Sequence, residues 1–116
     1  LNLYTEIKFC FMSERILHLT LKKRWFDMIL SGEKKEEYRE IKDYWFDRLT
    51  EYDYPLRPKI FDKIIFKNGY ATNAPEMEVE WKGLIIGDAK PEWSDNWKDG
   101  AFVIQLGKIL STKNIK

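Results

Sequence analysis

The segment Ser31-Gly32-Glu33-Lys34-Lys35-Glu36-Glu37-Tyr38-Arg39 joins two different patterns of apolar residues. Helical spacing precedes it, and Gly32 stands where a glycine commonly ends a helix. On a strand after this turn, Glu37 and Arg39 share a face because they are two residues apart, whereas Lys34 must reach them from the turn. Together the three side chains offer a point charge, an acceptor and a planar donor fork. The segment therefore predicts a site for a polar, planar or phosphate-bearing ligand.

The patterns on both sides of this segment predict an α+β protein. Apolar residues at every second position, or short β-branched runs, indicate strands at residues 16–21, 61–67, 76–86 and 101–110, with a bulge at Gly83 and a bend at Gly107. Helical spacing indicates two short helices, residues 22–31 and a second one capped by Asp43 and reaching Leu49. Pro55 and Pro58 mark an extended connection between these regions.

Composition sets the size and the class of the protein. A chain of 116 residues, 44% hydrophobic and 16% aromatic, has room for one globular domain with one core, which we place at residues 12–116. Residues 1–11 precede a start-like Met-Ser-Glu sequence and are interpreted as an N-terminal extension, whether native or not. The single cysteine, Cys10, cannot form an internal disulfide, and no apolar run is long enough to cross a bilayer. These features predict a cytoplasmic protein without membrane partners.

Charge and residue counts exclude several kinds of site. A net charge of +1 disfavours nucleic-acid binding through bulk electrostatics, so any such binding must be local. One histidine, His18, and one cysteine cannot supply an ordinary zinc site, and the acidic residues do not have calcium-loop spacing. A Ser-His-Asp triad would need His18, which we interpret instead as a core or cleft residue within a strand. We expect neither a metal nor a cofactor, and the oligomeric state is left open.

The order Gly32-x-Lys34-x-x-Glu37-x-Arg39 resembles the signature of the ASCH family, small domains of the PUA-like superfamily. The similarity runs from about residue 14 to residue 110, although only the motif is specific. It implies a PUA-like β-barrel with short helices packed outside and a ligand cleft lined by the motif. It also implies RNA binding or, in some members, hydrolysis of modified nucleosides or of RNA.

The predicted ligand is single-stranded RNA, a nucleotide or a modified nucleoside. The expected binding residues are Lys34, Glu37 and Arg39, together with Asn68 and Tyr70, which the resemblance places near the cleft mouth. If the protein is an enzyme, Lys34 and Glu37 are the expected catalytic pair and would activate a water. In relatives that resemble amidohydrolases acting on N-acetylated cytidine, the position of Glu37 holds a threonine nucleophile, which this chain lacks.

Alternative interpretations stay open for the motif and for the aromatic residues. Glu37 and Arg39 could form a structural salt bridge while Lys34 is solvated, and the domain could be a protein-interaction module. Periodic positions predict that five aromatic residues belong to the core: Trp25, Phe26, Phe66, Trp81 and Phe102. Six others lie near the motif or in loops, where their rings could stack on a base: Tyr38, Tyr44, Trp45, Tyr70, Trp93 and Trp97.

Overall fold

A computed structural model describes residues 14–51 and 55–115. The predicted extension, residues 1–11, lies outside the described residues. Within them the chain forms seven strands and two α-helices, in the order β1 (Ile16–Leu21), α1 (Lys23–Leu30), β2 (Glu36–Arg39), α2 (Asp43–Leu49), β3 (Thr50–Glu51), β4 (Arg57–Pro58), β5 (Lys63–Asn68), β6 (Glu76–Gly87) and β7 (Ala101–Lys113). Turns of 3-10 helix at Pro91–Trp93 and Trp97–Asp99 lie between β6 and β7.

Five of the strands form one mixed sheet in the order β1-β5-β6-β7-β2, and β3 pairs with β4 separately. The β1–β5 pair is parallel, whereas the other neighbours in the sheet are antiparallel. The predicted α+β class is therefore confirmed. The sheet is not closed into the expected barrel within the described residues, because β1 and β2 are edge strands without a backbone ladder between them. A side-chain hydrogen bond links these two strands, from Arg39 Nη2 to the carbonyl of Thr20 at 3.4 Å.

Alternating and helical apolar spacing produced the expected burial in β1 and α1. Leu17, Leu19 and Leu21 are buried on one face of β1, as the pattern predicted. Helix α1 buries Trp25, Phe26 and Ile29. One continuous core joins these residues, except Trp25, to β5, β6, β7 and α2, and it includes Leu49, Ile64, Phe66, Met77, Val79, Phe102 and Ile104. Neither described helix has the length and apolar character needed to span a bilayer.

Local backbone signals were mostly placed correctly. Gly32 adopts a φ of 86° and ends α1, with its N–H donating to the carbonyl of Ile29 at 3.0 Å. The β6–β7 register shifts between Trp81 and Gly83, where a bulge was expected. Asp43 was predicted as the N-cap of α2, but Lys42 holds that position and Asp43 lies in the first turn. An acidic residue in the first turn still complements the helix dipole.

Candidate functional site

Strand β2 positions the predicted motif at one edge of the sheet. Glu37 pairs with Ile104 and Arg39 with Phe102 on β7, so the two side chains share a face, as their spacing predicted. The turn after α1 holds Lys34 in place, because its N–H donates to the carbonyl of Met28 at 3.0 Å. All three motif side chains then meet at a single carboxylate.

Lys34 is fully buried behind this carboxylate. Its Nζ donates to the carbonyl of Glu36 at 2.6 Å and to Glu37 Oε1 at 3.1 Å. The ammonium also lies 4.8 Å from the ring centroid of Tyr38 and 5.4 Å from that of Trp25. Burial lowers the pKa of Lys34, and the Glu37 charge opposes this effect. The alternative in which Lys34 is solvated is therefore wrong.

Glu37 is only 4% exposed, and its two carboxylate oxygens have different surroundings. Oε1 accepts from Lys34 Nζ and from the Tyr38 N–H at 2.9 Å, and it lies 3.6 Å from Arg39 Nη1. Oε2 is buried and has no hydrogen-bond partner among the described residues. Buried polar atoms are nearly always paired, so this oxygen indicates a place where a further donor would be stabilised.

Arg39 joins the two edges of the sheet. Its Nη1 donates to the carbonyl of Tyr38 at 2.7 Å, and its Nη2 reaches the carbonyl of Thr20 on β1. The guanidinium carbon lies 5.2 Å from the ring centroid of Trp45 on α2. The charge is thus held between β1, β2 and α2, and the remaining N–H groups of the fork can serve as donors.

A cleft of about 530 Å³ opens between these edge strands. Its floor and walls combine six aromatic rings, three cations and two carboxylates with smaller polar groups. The residues that line it are His18, Leu19, Thr20, Leu21, Lys22, Trp25, Glu37, Tyr38, Arg39, Tyr44, Trp45, Arg48, Tyr70, Trp93, Ser94, Asp95 and Asn96. This size and composition suit a small planar polar molecule.

The structure brings some of the predicted binding residues together and separates others. Glu37, Arg39 and Tyr70 line the cleft, and Tyr70 is 91% exposed. Lys34 contacts Glu37 from behind and does not line the cleft. Asn68 ends β5 opposite Leu21, and it is also outside the lining.

Most of the aromatic residues singled out near the motif or in loops lie at the cleft. Tyr38, Tyr44, Trp45 and Trp93 line the cleft with Tyr70, whereas the side chain of Trp97 lies outside what the structure describes. Trp25, predicted as core, is buried and also forms part of the cleft wall. Its helical spacing predicted burial but could not separate a core position from a position in a cleft wall, because both give the same pattern.

Sequence reasoning did not select the polar residues at the rim, Lys22, Arg48 and Asp95. Arg48 follows Tyr44 by four residues, a spacing that places both on one helix face, and its guanidinium carbon is 5.4 Å from the Tyr44 ring centroid. That spacing was a usable signal. Lys22 and Asp95 form an exposed ion pair at 3.3 Å across 73 residues of sequence, for which the sequence offered no local signal.

Tyr38 connects the motif strand to the segment between β6 and β7. Its hydroxyl donates to Glu36 Oε1 at 2.6 Å and accepts from the Lys90 N–H at 3.2 Å. Burial, together with the Glu36 hydrogen bond, raises the pKa of Tyr38. These bonds hold the wall that contains Trp93, which packs on a small cluster formed by Tyr38, Ala89, Ala101 and Val103.

Chemically, the cleft presents an acceptor oxygen, an adjacent guanidinium and aromatic surfaces. Among the described residues, no group of three or more His, Cys, Asp or Glu side chains is arranged to hold a metal ion. Comparison of the chain with protein-family models, with curated proteins and with solved structures gave no match.

Proposed function

We propose that this cleft binds an unpaired nucleotide, either free or within single-stranded RNA. The observation that carries the proposal is the buried, unpartnered Glu37 Oε2 in a cleft lined by aromatic rings and arginines. A nucleobase is a flat molecule with N–H donors on its edge and two faces suited to stacking. Stacking on aromatic side chains contributes about 1 to 3 kcal/mol per base, so a few rings suffice for measurable binding.

We further infer a relationship to the ASCH family and the PUA-like superfamily. The motif supports it, since Gly32 makes the turn and Lys34, Glu37 and Arg39 meet beside a cleft. The α+β architecture is compatible with it, with the difference that the sheet is open between β1 and β2. That opening is the cleft itself.

The direct test is a binding screen with ribonucleosides, ribonucleotides and short single-stranded RNAs. The change in fluorescence of the cleft tryptophans reports binding. We expect saturable binding to at least one nucleoside. Arg39→Ala should weaken it by about tenfold or more, since hydrogen bonds to charged groups contribute about 1.5 to 3 kcal/mol. Lys108→Ala is the matched control. Like Arg39→Ala it removes one positive charge, but Lys108 is exposed and lies outside the cleft lining.

Two results would contradict the proposal. Wild-type protein that binds none of these compounds would favour a protein-interaction module. Equal affinity in wild type and Arg39→Ala would place the ligand elsewhere on the surface.

A second candidate function is hydrolysis of a modified nucleoside or of RNA. It is favoured by the unpartnered oxygen of Glu37, a residue of the cleft lining, while a buried lysine contacts the other carboxylate oxygen at 3.1 Å. Such a carboxylate could accept a proton from an attacking water. Chromatography of the binding samples tests this, because an enzyme releases product and Glu37→Gln should slow it by about a hundredfold or more. Product formed equally fast by Glu37→Gln would exclude Glu37 as the base.

A further inference from the structure

We propose that the nucleobase enters the cleft by its pairing edge, with an N–H on Glu37 Oε2, while the phosphate stays at the mouth. This orientation rests on the nucleotide-binding function proposed above. It deepens that function by naming the chemical group that the site recognises, an N–H donor rather than an oxyanion.

The Glu37 carboxylate has one oxygen without a hydrogen-bond partner among the described residues. An ionised carboxylate only accepts hydrogen bonds, and Oε1 already receives those from Lys34 and Tyr38. The remaining oxygen, Oε2, therefore requires a donor. A phosphate at this position would bring two anionic groups together in a poorly hydrated place, which costs free energy.

Lys34 does not line the cleft. Its side chain is 0% exposed, and its ammonium donates hydrogen bonds to the carbonyl of Glu36 and to Glu37 Oε1. Lys34 is therefore a positioning residue and does not bind the ligand directly. It holds Glu37 Oε1 by a hydrogen bond and so orients the carboxylate.

The Arg39 guanidinium is a hydrogen-bond donor group beside Glu37. Arg39 Nη1 lies 3.6 Å from Glu37 Oε1, so the Glu37 carboxylate and the arginine donors are neighbours in the cleft lining. The pairing edge of every nucleobase places an N–H next to a carbonyl oxygen or a ring nitrogen. An acceptor beside a donor fork is complementary to that arrangement. In a duplex the same edge is occupied by the opposite strand.

The remaining cations of the cleft lining bear on the position of the phosphate. The other cations of the lining, Lys22 and Arg48, are exposed residues, and the side chain of Lys22 is 78% exposed. A phosphate beside them would stay hydrated and screened by salt. The phosphate should therefore contribute much less to affinity than the base edge.

The test compares matched nucleosides on the wild-type protein. The tightest-binding ribonucleoside is paired with the neutral derivative whose pairing-edge N–H groups carry methyl groups, for example uridine with 3-methyluridine or cytidine with N4,N4-dimethylcytidine. We expect methylation to weaken binding by about tenfold or more, because it leaves Glu37 Oε2 unpaired against an apolar group. Adding a 5′-phosphate should change affinity by less than about fivefold, in keeping with exposed ion pairs. Inorganic phosphate in large excess should not displace the nucleoside.

A variant adds an independent readout. In Glu37→Gln, Lys34 Nζ and the Tyr38 N–H should hold the amide oxygen at the Oε1 position, which turns the amide NH₂ toward the cleft. Discrimination between the N–H and N–CH₃ nucleosides should then disappear. Glu33→Gln, at an exposed position of the same turn, is the control and should keep it. If thermal melting shows Glu37→Gln to be unfolded, the wild-type comparison decides alone.

The outcomes separate this orientation from the function on which it rests. Equal binding of the methylated nucleoside, or displacement by inorganic phosphate, would overturn the base-first orientation while nucleotide binding stands. Absence of binding to any nucleoside, nucleotide or RNA would overturn both.

Discussion

At the scale of single residues, the charged side chains of the motif interact mainly with one another. Burying the Lys34 ammonium costs several kcal/mol of lost hydration, and burying Glu37 adds a similar cost. Their contact at 3.1 Å, the carbonyl of Glu36 and two aromatic faces offset much of this. The pair contributes little net stability, but each member depends strongly on the other.

Replacing Lys34 with methionine tests this dependence. Lys34→Met keeps the length of the side chain but leaves Glu37 with a buried charge that has lost its closest cation. We expect the free energy of unfolding in urea to fall by about 3 to 5 kcal/mol near neutral pH. Lys35→Met, at the exposed neighbouring position, should change it little. If Lys34→Met lowers the free energy of unfolding as little as Lys35→Met does, Arg39 alone compensates the charge of the Glu37 carboxylate.

Tyr38 should make the free energy of unfolding depend on pH in the alkaline range. Since burial raises its pKa above the ordinary value of 10.0, the folded state holds the phenolic proton more tightly than the unfolded state. This contribution is fully present below about pH 10 and is lost as pH rises further, at up to about 1.4 kcal/mol per pH unit. Between about pH 9 and pH 11, wild type should lose more unfolding free energy than Tyr38→Phe. Tyr44→Phe, at a residue that is 54% exposed, should follow wild type.

At the scale of elements, the long β6–β7 pair sets the shape of the sheet. Its register shifts at three places between Glu78 and Gly83, which bends and twists the ladder. The first half of β7 then pairs with β2, and the Leu106 N–H donates to the carbonyl of Lys35 at 3.1 Å. The irregular part of the hairpin therefore lies where the motif turn joins the sheet.

Two glycines of this hairpin give a matched pair of substitutions. A Cβ added at Gly107 would lie 2.9 Å from Glu80 Cβ, whereas one at Gly87 would meet Val103 Cγ2 at 3.8 Å. Gly107→Ala should lower the free energy of unfolding by about 1 to 3 kcal/mol, because the strands must shift. Gly87→Ala should be neutral or slightly stabilising. Equal unfolding midpoints for both variants would show that β6 and β7 adjust without cost.

At the scale of the whole molecule, the cleft depends on parts of the chain that are distant in sequence. The Tyr38 and Lys90 contact spans 52 residues, and the Lys22 and Asp95 pair spans 73. With a net charge of +1, the protein has little long-range attraction for a polyanion. Affinity should therefore come from the cleft and depend weakly on salt.

Titration of single-stranded RNA at several salt concentrations measures this. If Lys22 and Arg48 are the cations near phosphate, the slope of log K against log salt should lie between about −0.7 and −1.4. Duplex RNA of the same sequence should bind much more weakly, since its pairing edges are occupied. A slope several times steeper, or equal affinity for the duplex, would indicate an extended phosphate-binding surface.

The sequence by itself determined the features that depend on neighbouring residues. Alternation in Ile16–Leu21, helical spacing before Gly32 and the two-residue spacing of Glu37 and Arg39 were enough to predict the strand, the helix end and the shared face. These predictions succeeded because side-chain direction follows from local backbone geometry. The α+β class followed from the same patterns.

Only the tertiary structure decided what each side chain contacts. It buried Lys34 behind Glu37, left Asn68 outside the cleft, made Trp25 part of the cleft wall and kept β1 and β2 apart as open edges. Burial and the resulting pKa shifts depend on every group that packs around a charge, including groups far away in the chain. Local periodicity contains no information about those distant partners. For this reason it indicated the motif but not the burial of Lys34 outside the cleft lining.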